Sequence, residues 1–258
     1  MFDVMRLRCA EKRVCAAVLG LFLITGAAPA WACTIAVAAG KATKSGSPLI
    51  WKNLDTTDTW HTQLKYFPAR SSRAGGYLLA CRNNATIALL TGSPITSSAG
   101  ANESGFALVM SAVAEAYNVA HSITELSTEL LETAVKTCAT LSDFEKLLKI
   151  WPLTHYGTAI SSNFAAVDAQ GGAAMYELFT GYASAGYMPI RYRKYDANTG
   201  TVVDQSGKVL AQAGGSNFRG YFVRSNYNDY VPWDGGQERR ARAEELLGNL
   251  TGPIDCRA

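Results

Sequence analysis

The sequence predicts an α+β fold in which antiparallel sheets pack against helices. Strand-like segments come in neighbouring pairs joined by short turns, and helical segments form a central block instead of alternating with strands. The composition agrees, because 48% hydrophobic and 17% charged residues are typical of a globular chain. The chain is long enough for one domain with a sizeable core, or at most two small ones.

The first two predicted strands are apolar runs at 34–40 and 48–54. The segment between them contains Ser45-Gly46, which favours a turn, so we expect a hairpin. If residues 39 and 49 face each other, the same register places Cys33 opposite Asp55. Further strands are predicted at 64–67, 76–81, 86–91 and 106–113.

The helical block begins at Ser122, which forms a capping-box pattern with Glu125 ahead of leucines at helical spacing. Ser142 and Glu145 repeat the pattern before a second helix. Later elements are strands at 163–169 and 173–179, joined by a Gln-Gly-Gly hairpin signal, a strand at 220–225, and a helix from about 236 to 248 closed by Gly248.

The first 32 residues have the pattern of a signal peptide. A basic stretch at 6–13 precedes an apolar run at 14–28, and Ala30-Trp31-Ala32 matches an A-x-A cleavage site. The apolar run is shorter than the about 20 residues that span a bilayer. We therefore predict a removable leader at 1–32, a mature domain at 33–258, and export to the periplasm or the medium. No stable membrane insertion is expected after cleavage.

Charge and cysteine usage exclude several classes of function. The net charge is +3 and the basic residues are scattered, so no nucleic-acid partner is expected. No CxxC pair or His/Cys spacing suits zinc, and we expect neither a metal nor another cofactor. Cys81 and Cys138 could form a disulfide in an oxidising compartment or remain separate buried thiols.

Cleavage after Ala32 would make Cys33 the first residue of the mature protein. A terminal cysteine carries a thiol and a free α-amine whose ordinary pKa is about 7.7–8.0, so part of the amine is uncharged at neutral pH and can accept the thiol proton. We interpret Cys33 as a nucleophile with its own base. A lipid-attachment site and an incidental cysteine are the alternatives.

The expected hairpin adds two charged residues to this site. Asp55, facing Cys33, could orient the α-ammonium group. Lys52 would lie nearby and favour the thiolate through its positive charge. Both residues could instead be charges at a strand end.

Several segments resemble the N-terminal-nucleophile hydrolases. The stretch CTIAVAAGKATKSGSPLIWKNLD, from Cys33 to Asp55, is similar to the start of the penicillin V acylase and bile salt hydrolase (choloylglycine hydrolase) group and of the related isopenicillin N acyltransferases. The turn at 102–107 (NESGFA), the segment NFAAVDAQGGAAMYE at 163–177, and 224–227 (RSNY) leading into the Arg-rich helix also look similar and follow the family's order. Asn102 could shape this turn or contact substrate.

This resemblance implies a four-layer αββα sandwich of antiparallel sheets and cleavage of linear amide C–N bonds without a cofactor. Cys33 matches the nucleophile, Asp55 the aspartate beside it, and Lys52 a position commonly held by arginine. Asn226 matches an asparagine near the oxyanion, and Arg239 an arginine that supports the site.

A second oxyanion asparagine of the family falls at Met110 or Ser111 in this chain. A methionine thioether cannot donate a hydrogen bond, so a backbone N–H or the Ser111 hydroxyl would have to serve.

The function expected from these residues is that of an exported amidase acting on small N-acyl amides through a thioester. If an amine replaces water as the acyl acceptor, the same site makes an acyltransferase. A secreted binding module that keeps the fold and has lost catalysis is the remaining alternative.

Overall fold

The computed structural model describes residues 33–53, 62–69, 73–83, 95–113, 122–155, 160–180, 189–226 and 236–255. These ranges contain twelve β-strands and three α-helices. The strands are β1 (Thr34–Ala38), β2 (Leu49–Asn53), β3 (Thr62–Phe67), β4 (Tyr77–Asn83), β5 (Ile95–Asn102), β6 (Ala107–Ala112), β7 (Ser161–Val167), β8 (Ala173–Phe179), β9 (Arg191–Asp196), β10 (Thr201–Asp204), β11 (Val209–Gln212) and β12 (Tyr221–Arg224). The helices are α1 (Ser122–Thr137), α2 (Leu141–Thr154) and α3 (Gln237–Gly248).

The strands form two antiparallel sheets, which confirms the predicted α+β class. The larger has nine strands in the order β11-β10-β9-β8-β7-β6-β5-β4-β3, and the smaller has the order β12-β1-β2. All nine large-sheet strands follow one another in sequence order, and the helices α1 and α2 lie in the connection between β6 and β7. The small sheet instead pairs β1 with a strand from the far end of the described chain.

The core lies in two layers on either side of the large sheet. Successive side chains of a strand point to opposite faces, so β7 sends Phe164 toward the helices and Ala165 toward the small sheet. Helices α1 and α2 cover the first face with apolar side chains that include Leu130 and Phe144. The small sheet covers the second face through Ile35 and Val37. Helix α3 contacts β12 and has no buried residue.

Strand β1 is the middle strand of the small sheet and is buried along its whole length. The predicted pairing with β2 is correct, but its register is wrong by one residue. Thr34 faces Asn53 and Ala38 faces Leu49, because a 3-10 turn at Gly40–Ala42 and a bridge from Thr43 to Ile254 replace a tight hairpin. The described ladder ends with Thr34 opposite Asn53, one residue away from the predicted register.

The second helix begins two residues earlier than its sequence pattern indicates. Thr140 is the N-cap, and its hydroxyl accepts a hydrogen bond from the Asp143 backbone N–H at 3.1 Å. Ser142, the predicted cap, lies inside the helix and is exposed. Strand β5 and strands β9 to β11 were not predicted from the sequence, and the strand predicted at 86–91 lies outside the described residues.

Two other sequence alternatives concern Asn102 and Cys138. The Asn102 amide donates to the carbonyls of Val135 and Cys138, both at 2.8 Å, so Asn102 shapes the β5–β6 turn. Cys138 is a free, buried thiol, and the side chain of Cys81 lies outside the described part of the structure. Burial raises the pKa of the Cys138 thiol to about 11.

Candidate active site

Cys33 immediately precedes β1 and is a half-buried free thiol. Ile35 and Val37 point into the core between the two sheets, so the strand alternation places Cys33 on the face that looks toward the large sheet. The candidate nucleophile therefore lies next to the end of β1, the most buried strand of the small sheet.

Strand β12 brings Asn226 to the same end of the small sheet. The β1–β12 ladder ends with Ile35 opposite Arg224, so Cys33 and Asn226 each lie two residues beyond this last pair, at the same end of the two strands. Asn226 is only 2% exposed. Its side-chain oxygen accepts a hydrogen bond from Nη2 of Arg239 at 3.4 Å. Asn226 and Arg239 are thus in contact, and Cys33 lies beyond the same end of the β1–β12 ladder.

Lys52 occupies the other side of β1. It faces Ile35 in the ladder, and its ammonium group donates to the main-chain carbonyl of Met110 in β6. The side chain therefore joins the small sheet to the large one, two ladder positions from Cys33. Asp55 lies outside the described residues.

Ser225, between Arg224 and Asn226, is held by hydrogen bonds to the large sheet and to the residue that precedes α3. The carbonyl of Ser225 accepts hydrogen bonds from the Ser111 hydroxyl at 3.0 Å and from Nδ2 of Asn163 at 2.8 Å. The Ser225 hydroxyl donates to the Gly236 carbonyl at 2.7 Å. In a regular strand this carbonyl would point along its own sheet, so β12 leaves the sheet plane here and its ladder with β1 ends.

Gly236 permits the close approach of α3 to this turn. A Cβ atom at Gly236 would lie 2.1 Å from the Ser225 hydroxyl oxygen and 3.1 Å from the Asn226 nitrogen. Real Cβ atoms do not come this close to other heavy atoms, so only glycine fits while the serine keeps its position. The helix that carries Arg239 is consequently anchored directly behind Asn226.

A buried ion pair lies next to this turn. Nε of Arg224 donates to Glu177 of β8 at 2.5 Å, and the Tyr195 hydroxyl donates to the other carboxylate oxygen at 2.9 Å. The Arg224 guanidinium also lies 4.2 Å from the centre of the Tyr195 ring. Burial by itself would lower the pKa of Arg224, but the Glu177 carboxylate and Tyr195 raise it above its ordinary value. Arg224 therefore stays charged and fixes β12 to the large sheet.

The sequence did not predict three residues of this site, although two of them carry a recognisable pattern. The three are Asn163, Glu177 and Gly236. Asn163 continues the alternation of Ala165 and Val167, and Glu177 continues that of Ala173 and Met175. A polar side chain on an otherwise apolar strand face requires a buried partner. That pattern indicates a contact across the interface without saying which strand supplies it.

No family model matches this sequence, and no curated protein matches it. Within the described ranges, no group of three or more His, Cys, Asp or Glu residues is arranged to hold a metal ion. None of the helices described is both long enough and apolar enough to cross a membrane.

Proposed function

We propose that this protein is an exported hydrolase of linear amide C–N bonds, with Cys33 as its terminal nucleophile after removal of residues 1–32. The proposal is supported by the position of Cys33 and Asn226 beyond the same end of the β1–β12 ladder and by the hydrogen bond from Arg239 to Asn226. A thiol beside a buried amide that is oriented by a cation is the arrangement that acyl transfer through a thioester requires.

The layer order supports the four-layer sandwich of the N-terminal-nucleophile hydrolases as the fold. A helix pair covers the large sheet, the small sheet covers its other face, and α3 contacts β12. Cys33 immediately precedes the middle strand of the small sheet, so cleavage after Ala32 would place the freed amino group at the start of β1.

In the proposed reaction, the α-amine of Cys33 accepts the thiol proton, and the thiolate attacks the carbonyl carbon of an N-acyl amide. Because Oδ1 of Asn226 faces Arg239, Nδ2 is the atom of that amide that can donate to the developing oxyanion. The tetrahedral intermediate collapses to a thioester, the C–N bond breaks, and the leaving amine takes the proton from the α-ammonium group. Water then attacks the thioester, releasing the acid and returning the thiol.

Each remaining predicted residue has a supporting role in this proposal. Arg239 sets the orientation of the Asn226 amide. Lys52 supplies positive charge that favours the thiolate, and its ammonium group donates a hydrogen bond to the Met110 carbonyl. Asp55 would orient the α-ammonium group of Cys33.

The decisive experiment begins with N-terminal sequencing and intact mass of the exported protein. Those measurements should show Cys33 as the first residue without attached acyl chains. The protein should then hydrolyse members of a panel of small N-acyl amides, and acid-quenched samples should gain the mass of the acyl group on Cys33. Added amines should be tested as acceptors, because amide products would identify an acyltransferase.

Three variants separate the roles. Cys33→Ala should abolish both thioester and turnover, while the matched control Cys138→Ala should leave both intact because that thiol lies in the hydrophobic core, in the connection between α1 and α2. Asn226→Ala should lower kcat by roughly 100- to 1000-fold, the usual loss for one oxyanion donor. A mature chain that begins at another residue, or full activity after acetylation of the terminal amine, would refute the proposed mechanism.

A further inference from the structure

We propose that Ser111 and Asn163 are positioning residues that hold the oxyanion donor Asn226 in place from the opposite sheet. This inference rests on the proposed function, because it assigns their role in that reaction. Neither residue would touch the substrate. They act through the carbonyl of Ser225, whose peptide bond leads directly into Asn226.

The two side chains form one clamp on a single oxygen atom. Ser111 and Asn163 face each other in the β6–β7 ladder, and both point toward the small sheet. Their donors lie 3.0 and 2.8 Å from the Ser225 carbonyl oxygen. All three residues have an exposure of 0%. A carbonyl oxygen has two lone pairs, so these donors occupy both acceptor directions and prevent rotation of the peptide.

The same geometry decides between two roles for Ser111. The sequence leaves open whether its hydroxyl serves as a second oxyanion donor. A hydroxyl has one proton to donate, and here that proton goes to the Ser225 carbonyl. Ser111 consequently supports Asn226 and leaves the second donor to a backbone N–H group.

The clamp is needed because Asn226 lies beyond the end of the β1–β12 ladder. The last ladder pair is Ile35 with Arg224, so no strand pairing fixes the following peptide. Its position comes from the clamp on one side and from the Ser225–Gly236 hydrogen bond on the other. Loss of one clamp donor should let Asn226 move by a fraction of an ångström while Cys33 stays in place next to β1.

The test compares Ser111→Ala and Asn163→Ala with Ser162→Ala in the full exported protein. Ser162 is a matched control, since it is an equally buried serine of β7 whose hydroxyl bonds Ser127 at 2.7 Å and not the Ser225 turn. For each variant, kcat and KM are measured on an N-acyl amide that the wild type hydrolyses. The alkylation rate of Cys33 by iodoacetamide is measured alongside, because that reaction has no oxyanion intermediate.

Both clamp variants should lose about 10- to 100-fold in kcat, as expected for a misplaced catalytic group, with KM and alkylation unchanged. Ser162→Ala should match the wild type. Clamp variants with normal kcat would overturn the proposal, as would an equal loss of kcat and alkylation. If both clamp variants fail to fold while Ser162→Ala folds, the contacts serve the fold alone and the proposal is wrong. A wild-type protein that alkylates at Cys33 but forms no thioester with any amide overturns the proposed function itself.

Discussion

Replacing Glu177 with glutamine should destabilise the protein by about 3–5 kcal/mol, the usual cost of removing one partner of a buried ion pair. The Glu177 and Arg224 side chains are only 0% and 4% exposed, so water cannot solvate the charge that is left. Glutamine keeps the volume of the side chain and one acceptor oxygen. The change therefore removes negative charge while leaving the packing of β8 nearly intact.

The neighbouring contacts predict an order of effects. Tyr195→Phe removes one hydrogen bond of 2.9 Å to the carboxylate, which should cost about 1.5–3 kcal/mol. Glu245→Gln is the control, because its partner Arg242 and Glu245 are 62% and 56% exposed. An exposed pair of this kind contributes at most about 1 kcal/mol, and screening reduces that further.

Urea unfolding of the purified variants measures these differences directly. A double variant with Glu177→Leu and Arg224→Met should be much less destabilised than the sum of its single changes, because it leaves no unpaired charge in the interior. If Glu177→Gln falls within about 1 kcal/mol of Glu245→Gln, the ion pair does not hold β12 to the large sheet and the reasoning is wrong.

Three further predictions use other contacts. Gly236→Ala should lower the free energy of unfolding by about 1–3 kcal/mol and reduce activity, since its Cβ would overlap the Ser225 hydroxyl oxygen 2.1 Å away. The control Gly252→Ala should leave thermal unfolding unchanged, because a Cβ there meets nothing within 4 Å. Thr140→Ala should lower the free energy of unfolding in urea by about 1 kcal/mol, and Ser142→Ala should leave it nearly unchanged. The reverse order would show that Ser142 is the N-cap, as the sequence pattern predicts. Cys138, with a pKa raised to about 11 from 9.0, keeps its proton in the native state, so the protein should lose stability as pH rises between those values. A Cys138→Ala variant that shows the same decline would contradict this assignment.

The sequence predicts apolar strands that a turn signal joins. The 163–169 and 173–179 pair is observed as β7 and β8 in the large sheet, where both strands are almost wholly buried. Strand β11 was missed because all four of its residues are exposed, which leaves no apolar period to detect. Strand β5 was missed because ITSSAGAN is rich in small and polar residues that are typical of turns.

The residues of the candidate site were predictable from the sequence, but their positions relative to one another were not. Cys33 and Asn226 could be selected from sequence patterns, but their neighbourhood depends on the pairing of β1 with β12, which no local pattern encodes. The register of β1 with β2 was wrong by one residue because a short 3-10 turn changed the length of the connection. Asp55 therefore remains a prediction from sequence alone.

The pairing of β1 with β12 has a consequence for how the molecule acquires its structure. In the nine-stranded sheet each strand pairs with its neighbours in sequence, and β6 and β7 are the two strands separated by helices α1 and α2, so most of this sheet can form from contacts between nearby segments. The small sheet forms only when β1 and β12, which are far apart in the sequence, meet. Closing so large a loop has a high entropic cost, and this slows the step. Reactivity of the thiol toward substrate should thus emerge as a late kinetic event during refolding, after most of the native backbone has already formed.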